Sequence, residues 1–165
     1  MSAVLPHYKS GPLNKQVSTL IFGGQLVAPT TLTAGTTDLT VAPAAALSLN
    51  VLGVAGADAN VIANQTGAPN SFGQPLIDIS VLGDFVPVYY GGIDILVWYN
   101  NSVSVIEGAM LVAGANGTVT TVGANVFGTV VGRCTQPGGV TTAMCTQQIG
   151  GTGAANFGLF RARIF

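Results

Sequence analysis

The sequence carries very little charge. Only 7% of its 165 residues are charged, against about 25% in an average soluble protein. The five basic and six acidic residues give a net charge of −1, and they are spread thinly, without a basic patch in the sequence. Because nucleic-acid binding needs clustered positive charge, we expect no nucleic-acid partner. Weak charge repulsion favours self-association, so we expect subunit contacts to cover much of the apolar surface.

Long apolar runs are also missing. The most apolar stretch, residues 41–57, is interrupted by Pro43, Ser48, Asn50 and Gly53, and a membrane-spanning helix would need about 18 consecutive apolar residues. The first 15 residues lack the apolar segment of a secretory signal. These features predict no membrane partner and synthesis in the cytoplasm.

Potential metal ligands and thiols are scarce. The only histidine is His7, and the two cysteines, Cys134 and Cys145, have ten residues between them. A structural zinc site needs four ligands, so we expect no metal. A disulfide across this loop would stabilise the fold by about 2–3 kcal/mol, whereas cytoplasmic synthesis favours reduced thiols. The sequence leaves both states open.

Catalytic motifs are absent from the sequence. It contains no G-x-S-x-G, no P-loop and no G-x-G-x-x-G pattern. The acidic residues stand apart, either in turn-like contexts or on the polar side of alternating strands: Asp38, Asp58, Asp84 and Glu107 in the first group, Asp78 and Asp94 in the second. This pattern predicts no enzyme, no cofactor and no small-molecule substrate.

The chain does contain strong strand patterns, above all in residues 93–132. Apolar Ile93, Ile95, Val97 and Tyr99 alternate with Asp94, Leu96, Trp98 and Asn100, which is the period of a β-strand. The Asn116-Gly117 pair predicts a hairpin, because both residues tolerate positive φ. No helical period is visible. We therefore predict an all-β fold, an antiparallel β-barrel or β-sandwich.

Other segments give further local predictions. Leu47, Leu49 and Val51 alternate with polar residues and predict a strand, while residues 53–56 and 63–73 predict loops. Pro87 predicts that residues 85–90 form an edge strand or a bulge. Residues 156–165 predict a final strand paired into the sheet.

The domain organisation follows from these patterns. Residues 1–16 predict an extended N-terminal arm, and residues 17–165 predict one β domain with inserted loops near 55–75 and 135–153. The arm is either a disordered terminus or an anchor laid on a partner. The anchor hypothesis rests on the arm's apolar and titratable side chains, which become the candidate contact residues: Val4, Leu5, His7, Tyr8, Lys9, Leu13 and Lys15.

The second half of the chain resembles the small phage capsid decoration (cement) proteins of the DUF2190-like type. The resemblance covers about residues 83–165, and it is carried by glycine spacings within strands. The matching segments, in order, are Gly-Asp-Phe-Val-Pro-Val at 83–88, Gly-Ala-Met-Leu-Val at 108–112, Asn-Gly-Thr-Val-Thr-Thr-Val at 116–122, Phe-Gly-Thr-Val-Val-Gly at 127–132, and Arg-Ala-Arg-Ile-Phe at 161–165.

The resemblance implies a β-barrel or β-tulip-like subunit, homotrimeric, that binds the outside of an assembled major capsid protein lattice and stabilises it. Its partners would be the major capsid protein and other copies of itself, and its location the capsid surface of the virion. Two alternatives stay open. One is another structural phage protein, such as a minor head, tail or fibre component. The other is a small-ligand-binding β-barrel or a hydrolase on a β scaffold, which the lack of convergent polar groups disfavours.

Overall fold

A computed structural model of the chain shows an all-β protein with little helical structure. The described residues are 12–30, 40–56, 65–66, 77–80, 83–100, 103–123, 130–144, 147–148 and 156–165. Within them the strands are β1 Leu13–Gln16, β2 Ile21–Phe22, β3 Leu26–Pro29, β4 Val41–Pro43, β5 Gly53–Ala55, β6 Gln65–Thr66, β7 Ile77–Ser80, β8 Phe85–Tyr89, β9 Asp94–Asn100, β10 Met110–Ala113, β11 Val119–Thr121, β12 Gly132–Cys134, β13 Gln147–Gln148 and β14 Asn156–Ile164. In these residues the helical structure consists of 3₁₀ turns at Ala115–Gly117 and Thr142–Met144. No helix in this part of the chain is long and apolar enough to cross a membrane.

The first sheet has five antiparallel strands in the order β1-β8-β5-β3-β4. Its two edges approach each other at one isolated bridge between Val17 and Val41, where the Ser18 N–H donates to the Val41 carbonyl oxygen at 2.9 Å. One bridge is not a ladder, so the described residues form no closed barrel. The all-β prediction is confirmed in its sandwich form.

The second sheet has six antiparallel strands. β11, β10, β12, β14 and β9 follow one another across it, and β13 pairs with the beginning of β14. Phe157 in β14 faces Gln147 of β13 and Asn100 of β9, so β13 lies on the same edge of β14 as β12. β14 therefore occupies the middle of this sheet, as the prediction of a paired final strand required.

A hydrophobic core joins the two sheets. Alternation sends every second residue of each strand inward, and the large inward side chains are fully buried: Leu26 and Val54 from the first sheet, and Val97, Tyr99, Leu111 and Phe160 from the second. The opposite face of the first sheet packs around a second cluster that includes Val17, Val27, Val41, Val86 and Val88. The first sheet is thus apolar on both faces.

The last four residues of the predicted arm belong to the first sheet. β1 pairs with β8, with Leu13 opposite Val88 and Lys15 opposite Val86. β8 is therefore not an edge strand, contrary to the prediction from Pro87. The proline is tolerated because its missing N–H would face Gly56, beyond the end of β5, and the Gly56 N–H donates to the Pro87 carbonyl oxygen at 2.8 Å.

Two local predictions before residue 57 were wrong. Residues 53–55, predicted as a loop, form β5, and a Cβ on Gly53 would lie 2.1 Å from the Tyr89 carbonyl oxygen, so glycine permits close strand approach here. Leu47, predicted in a strand, has φ of 57°. Its N–H donates to the Ala113 carbonyl oxygen at 2.8 Å, which holds the segment in a turn.

The predicted inserted loops are described only in part. In the 55–75 segment, β6 pairs with β7, and β7 pairs with β2 in a small three-stranded sheet. In the 135–153 segment, the chain forms the second 3₁₀ turn and β13. The remaining residues of 57–76 and 145–155 lie outside the described residues.

Candidate interaction surface

The outer face of the second sheet carries all three arginines of the chain. Ile95, Val97 and Tyr99 of β9 pack against the core, so the alternate positions of β9 lie on the opposite face. On that face Trp98 is covered by the Gly23–Gly24 turn, whereas Asp94 and Leu96 are exposed. We define the arginine face as the exposed outward residues at one end of this sheet: Asp94, Leu96, Met110, Arg133, Arg161 and Arg163.

Strand register places four of these residues in one row across the sheet. Met110 is the partner of Arg133, Arg133 is the partner of Arg163, and Arg163 is the partner of Asp94. Directly opposed residues have Cβ atoms about 4.5–5.5 Å apart. Arg161 lies two positions before Arg163 and opposite Leu96, so it joins the same face diagonally from Arg133.

One arginine of the row is paired with the aspartate. The Arg163 guanidinium donates from Nη2 to Asp94 Oδ2 at 2.7 Å, and the Thr135 hydroxyl donates to Asp94 Oδ1 at 3.2 Å. The hydrogen bond from Arg163 is the main cause that lowers the pKa of Asp94, and the same contact raises the pKa of Arg163. Asp94 is thus held as a carboxylate and neutralises Arg163 locally.

The other two arginines, Arg133 and Arg161, are exposed. Within the described part of the chain, neither Arg133 nor Arg161 forms an ion pair. Apolar side chains lie beside them, because Leu96 is 46% exposed and Met110 is 39% exposed. The arrangement is suited to receiving carboxylates on the free guanidinium groups, which bind such groups with paired hydrogen bonds.

This surface was not foreseen from the sequence. Arg161 and Arg163 share one side of a strand, which the alternation shows directly. Arg133 joins them only through the β12–β14 pairing, across 30 positions of sequence. The expectation of no basic patch is therefore corrected for the folded protein: the cations are scattered in sequence and adjacent in the sheet.

The predicted contact residues lie elsewhere. Leu13 and Lys15 lie on β1, in the first sheet, so the structure does not bring them together with the arginines. Leu13 is 53% exposed and Lys15 is partly buried. The other candidates, Val4, Leu5, His7, Tyr8 and Lys9, lie outside the described residues.

Only one of the two cysteines, Cys134, lies among the described residues. Cys134 is buried on β12 against the core, and burial raises the pKa of its thiol. Cys145 lies outside the described residues, so the Cys134–Cys145 disulfide and the pair of reduced thiols both stay open.

No other chemical constellation is found among the described residues. No group of three His, Cys, Asp or Glu side chains there could hold a metal ion. Glu107 accepts a hydrogen bond from the Gly138 N–H at 3.0 Å, which is a loop-bracing contact. An open cavity of about 250 Å³ lies beside Leu47, Ala113 and Thr118; it is smaller than typical ligand sites of about 300–1,000 Å³, and none of its lining residues is charged.

Comparison with known proteins adds no relative. No protein-family model matches the chain, and neither a curated protein nor a solved structure matches it. A functional proposal must therefore rest on the chain's own residues and surfaces.

Proposed function

We propose that this chain is a structural virion protein, a capsid decoration or cement protein. In this proposal it binds the outside of the assembled major capsid protein lattice as a homotrimer and stabilises the lattice. The proposal takes up the sequence resemblance over residues 83–165, and it is supported by a surface feature of the first sheet.

That feature is the edge strand β1 with its neighbour β8, on which two large apolar side chains are exposed. Leu13 is 53% exposed and Phe85 is 63% exposed. Leu13 is opposite Val88 and Phe85 is opposite Gln16, so the two side chains lie at opposite ends of the strand pair and on opposite faces of it. Among the described residues β1 pairs only with β8, and the other edge of the sheet reaches it only at the Val17–Val41 bridge beyond its last residue. The outer edge of Leu13–Gln16 therefore has backbone groups that another chain could pair with. β1 is also the strand through which the predicted arm, residues 1–16, joins the sheet.

The energetics of a repeating lattice suit such an edge. Burying a leucine or phenylalanine side chain contributes about 1.5–3 kcal/mol, which is modest for one contact. A trimer that engages several equivalent sites multiplies modest contacts through effective concentration, and closed symmetry presents the same edge to each site. A minor head, tail or fibre protein could use the same edge, and it is the alternative that we retain.

Capsid melting tests the proposal. Purified expanded capsids lacking the protein are mixed with it, and calorimetry records their melting temperature. We expect a higher melting temperature with the protein and regular density on the lattice in electron cryomicroscopy. Equal melting with and without the protein would contradict the proposal, and density confined to a tail would favour the alternative.

Three variants locate the contact. A chain that begins at Leu13 keeps β1 in place while removing most of the arm, and we expect it to fold and to bind capsids more weakly. The double variant L13S/F85S should weaken binding about tenfold or more, given the area that these side chains would bury. I106S is the matched control, because Ile106 is 74% exposed on the loop after β9; its binding should be unchanged.

A further inference from the structure

We infer that the arginine face is a docking site for an acidic protein segment that presents two carboxylates on one side of an extended strand. The inference concerns the second sheet, whereas the proposed capsid contact concerns the first, so the two can fail separately. Arg133 and Arg161 would each receive one carboxylate of the segment, and Leu96 and Met110 would contact its apolar side chains.

The spacing of the two free arginines defines the ligand. Arg133 is opposite Arg163, and Arg161 lies two residues away from Arg163 on the same strand face. Diagonal neighbours of this kind are about 7–8 Å apart. In an extended chain, side chains two positions apart lie on one side and about 6.5–7 Å from each other. An acidic residue at every second position therefore matches the two guanidinium groups.

Charge distribution favours an acidic partner. Three arginines and one aspartate give this face a charge of +2, on a chain whose net charge is −1. Asp94 is bound by Arg163 at 2.7 Å, and its charge acts on Arg161 only from a longer distance. Within the described residues neither Arg133 nor Arg161 forms an ion pair. A carboxylate partner would form charge-assisted hydrogen bonds with them.

The same features disfavour other ligands. A nucleic acid would leave Leu96 and Met110, which are 46% and 39% exposed, without apolar contacts. A small carboxylate would bind in a concave site, and this face is an exposed sheet surface. Another copy of this chain does not supply the pattern, because no two of its acidic residues stand two positions apart.

Peptide titration of the intact protein tests the inference. The probe is a short synthetic peptide with two aspartates separated by one valine and flanked by further valines and threonines. The readout is the NMR signal of each arginine Nε–H group, since all three arginines lie on the face. We expect saturable shifts at Arg133 and Arg161, which weaken as salt is added.

Controls separate specific recognition from general attraction. A peptide with asparagines in place of the aspartates should not bind, and one with adjacent aspartates, whose side chains point to opposite sides, should bind more weakly. R133Q/R161Q should weaken binding of the first peptide about tenfold or more, and R133K/R161K should keep most of the binding. All substitutions are on exposed positions, and unchanged melting temperatures would verify the fold.

Several results would overturn the inference. These are no shifts with the first peptide, equal binding of the adjacent-aspartate peptide, or equal binding by R133Q/R161Q. Tighter binding of a short oligothymidine than of the peptide would assign the face to nucleic acid instead.

Discussion

Trp98 of the second sheet packs directly on Gly24, in the turn that leads into β3 of the first sheet. The Trp98 N–H donates to the Gly24 carbonyl oxygen at 3.1 Å, and the indole N–H donates to the Gly23 carbonyl oxygen. A Cβ on Gly24 would lie 2.7 Å from Cδ1 of Trp98. The aromatic rings of Phe22 and Phe157 pack against the indole. Trp98 therefore links the two sheets through hydrogen bonds and aromatic contacts.

Replacing this glycine should loosen the junction. Gly24 has φ of +93°, so G24A adds backbone strain to a steric conflict with Trp98, and we expect a loss of about 2–4 kcal/mol in the free energy of unfolding. Urea denaturation followed by Trp98 fluorescence measures it. G83A is the matched control, because Gly83 has φ of +92° and open space around its missing Cβ; it should lose about 1 kcal/mol. Equal losses in the two variants would show that Trp98 can move away from the added methyl group without lowering the free energy of unfolding.

Replacing Leu47 should stabilise the protein. Its φ of 57° is unfavourable for a bulky side chain, and 48% of the side chain is exposed. We expect L47N to raise the free energy of unfolding by about 0.5–1 kcal/mol, because asparagine tolerates this conformation better. L49N is the control, since Leu49 is more exposed, at 67%, and does not have positive φ. A gain in both variants would point to solubility rather than to backbone strain.

The Asp94–Arg163 pair should give stability a pH dependence in acid. The hydrogen bond from Arg163 lowers the pKa of Asp94 in the folded state, so the unfolded chain takes up this proton at the higher pH. The contribution is fully present above the unfolded pKa of about 3.9, and it is lost as pH falls through the folded pKa. We expect the stability difference between the wild type and D94N to shrink over this range.

Carboxyl carbon NMR checks the cause of this shift. R163Q should raise the pKa of Asp94 toward its ordinary value, and T135V should raise it less, because the Thr135 hydrogen bond has a weaker effect. A larger effect of T135V would contradict this ordering.

Cys134 should react slowly with thiol reagents. The side chain is 1% exposed, and its pKa is raised chiefly by burial, so both access and thiolate content are low. In C145S, which leaves one thiol, we expect modification by Ellman's reagent to be much slower in the native protein than in urea. Equal rates would contradict the burial. Counting thiols in the unfolded wild type distinguishes two reduced cysteines from a disulfide.

The sequence predicted best where local patterns determine structure. The alternation in residues 93–100 predicted a strand, and Val97 and Tyr99 of its apolar parity are buried, as is Trp98 of the other parity. Residues 156–165 were predicted as a paired strand and form β14. Asn116 and Gly117 have φ of 54° and 70° and lie in the connection between β10 and β11, as the hairpin prediction required. These signals need only neighbouring residues.

Long-range pairing could not be predicted in the same way. Gly53 resembles a break in the sequence, but in the fold it allows β5 to approach Tyr89. Pro87 indicates an edge until β1 pairs alongside β8. The arginine face depends on the register between β12 and β14, in which Arg133 is opposite Arg163, 30 residues later. The alternation within each strand does not determine this register.

The position of β14 has a consequence for biosynthesis. Strands β1 to β8, including the whole first sheet, precede residue 90, whereas the second sheet is built around β14, which is made after every other described strand. Until β14 is translated, the second sheet, which covers Leu26 and Val54 of the first sheet, cannot be completed. A nascent chain paused before residue 156 would therefore expose a half-built sandwich with open edges, and this interval is when we expect chaperone engagement or aggregation on the ribosome.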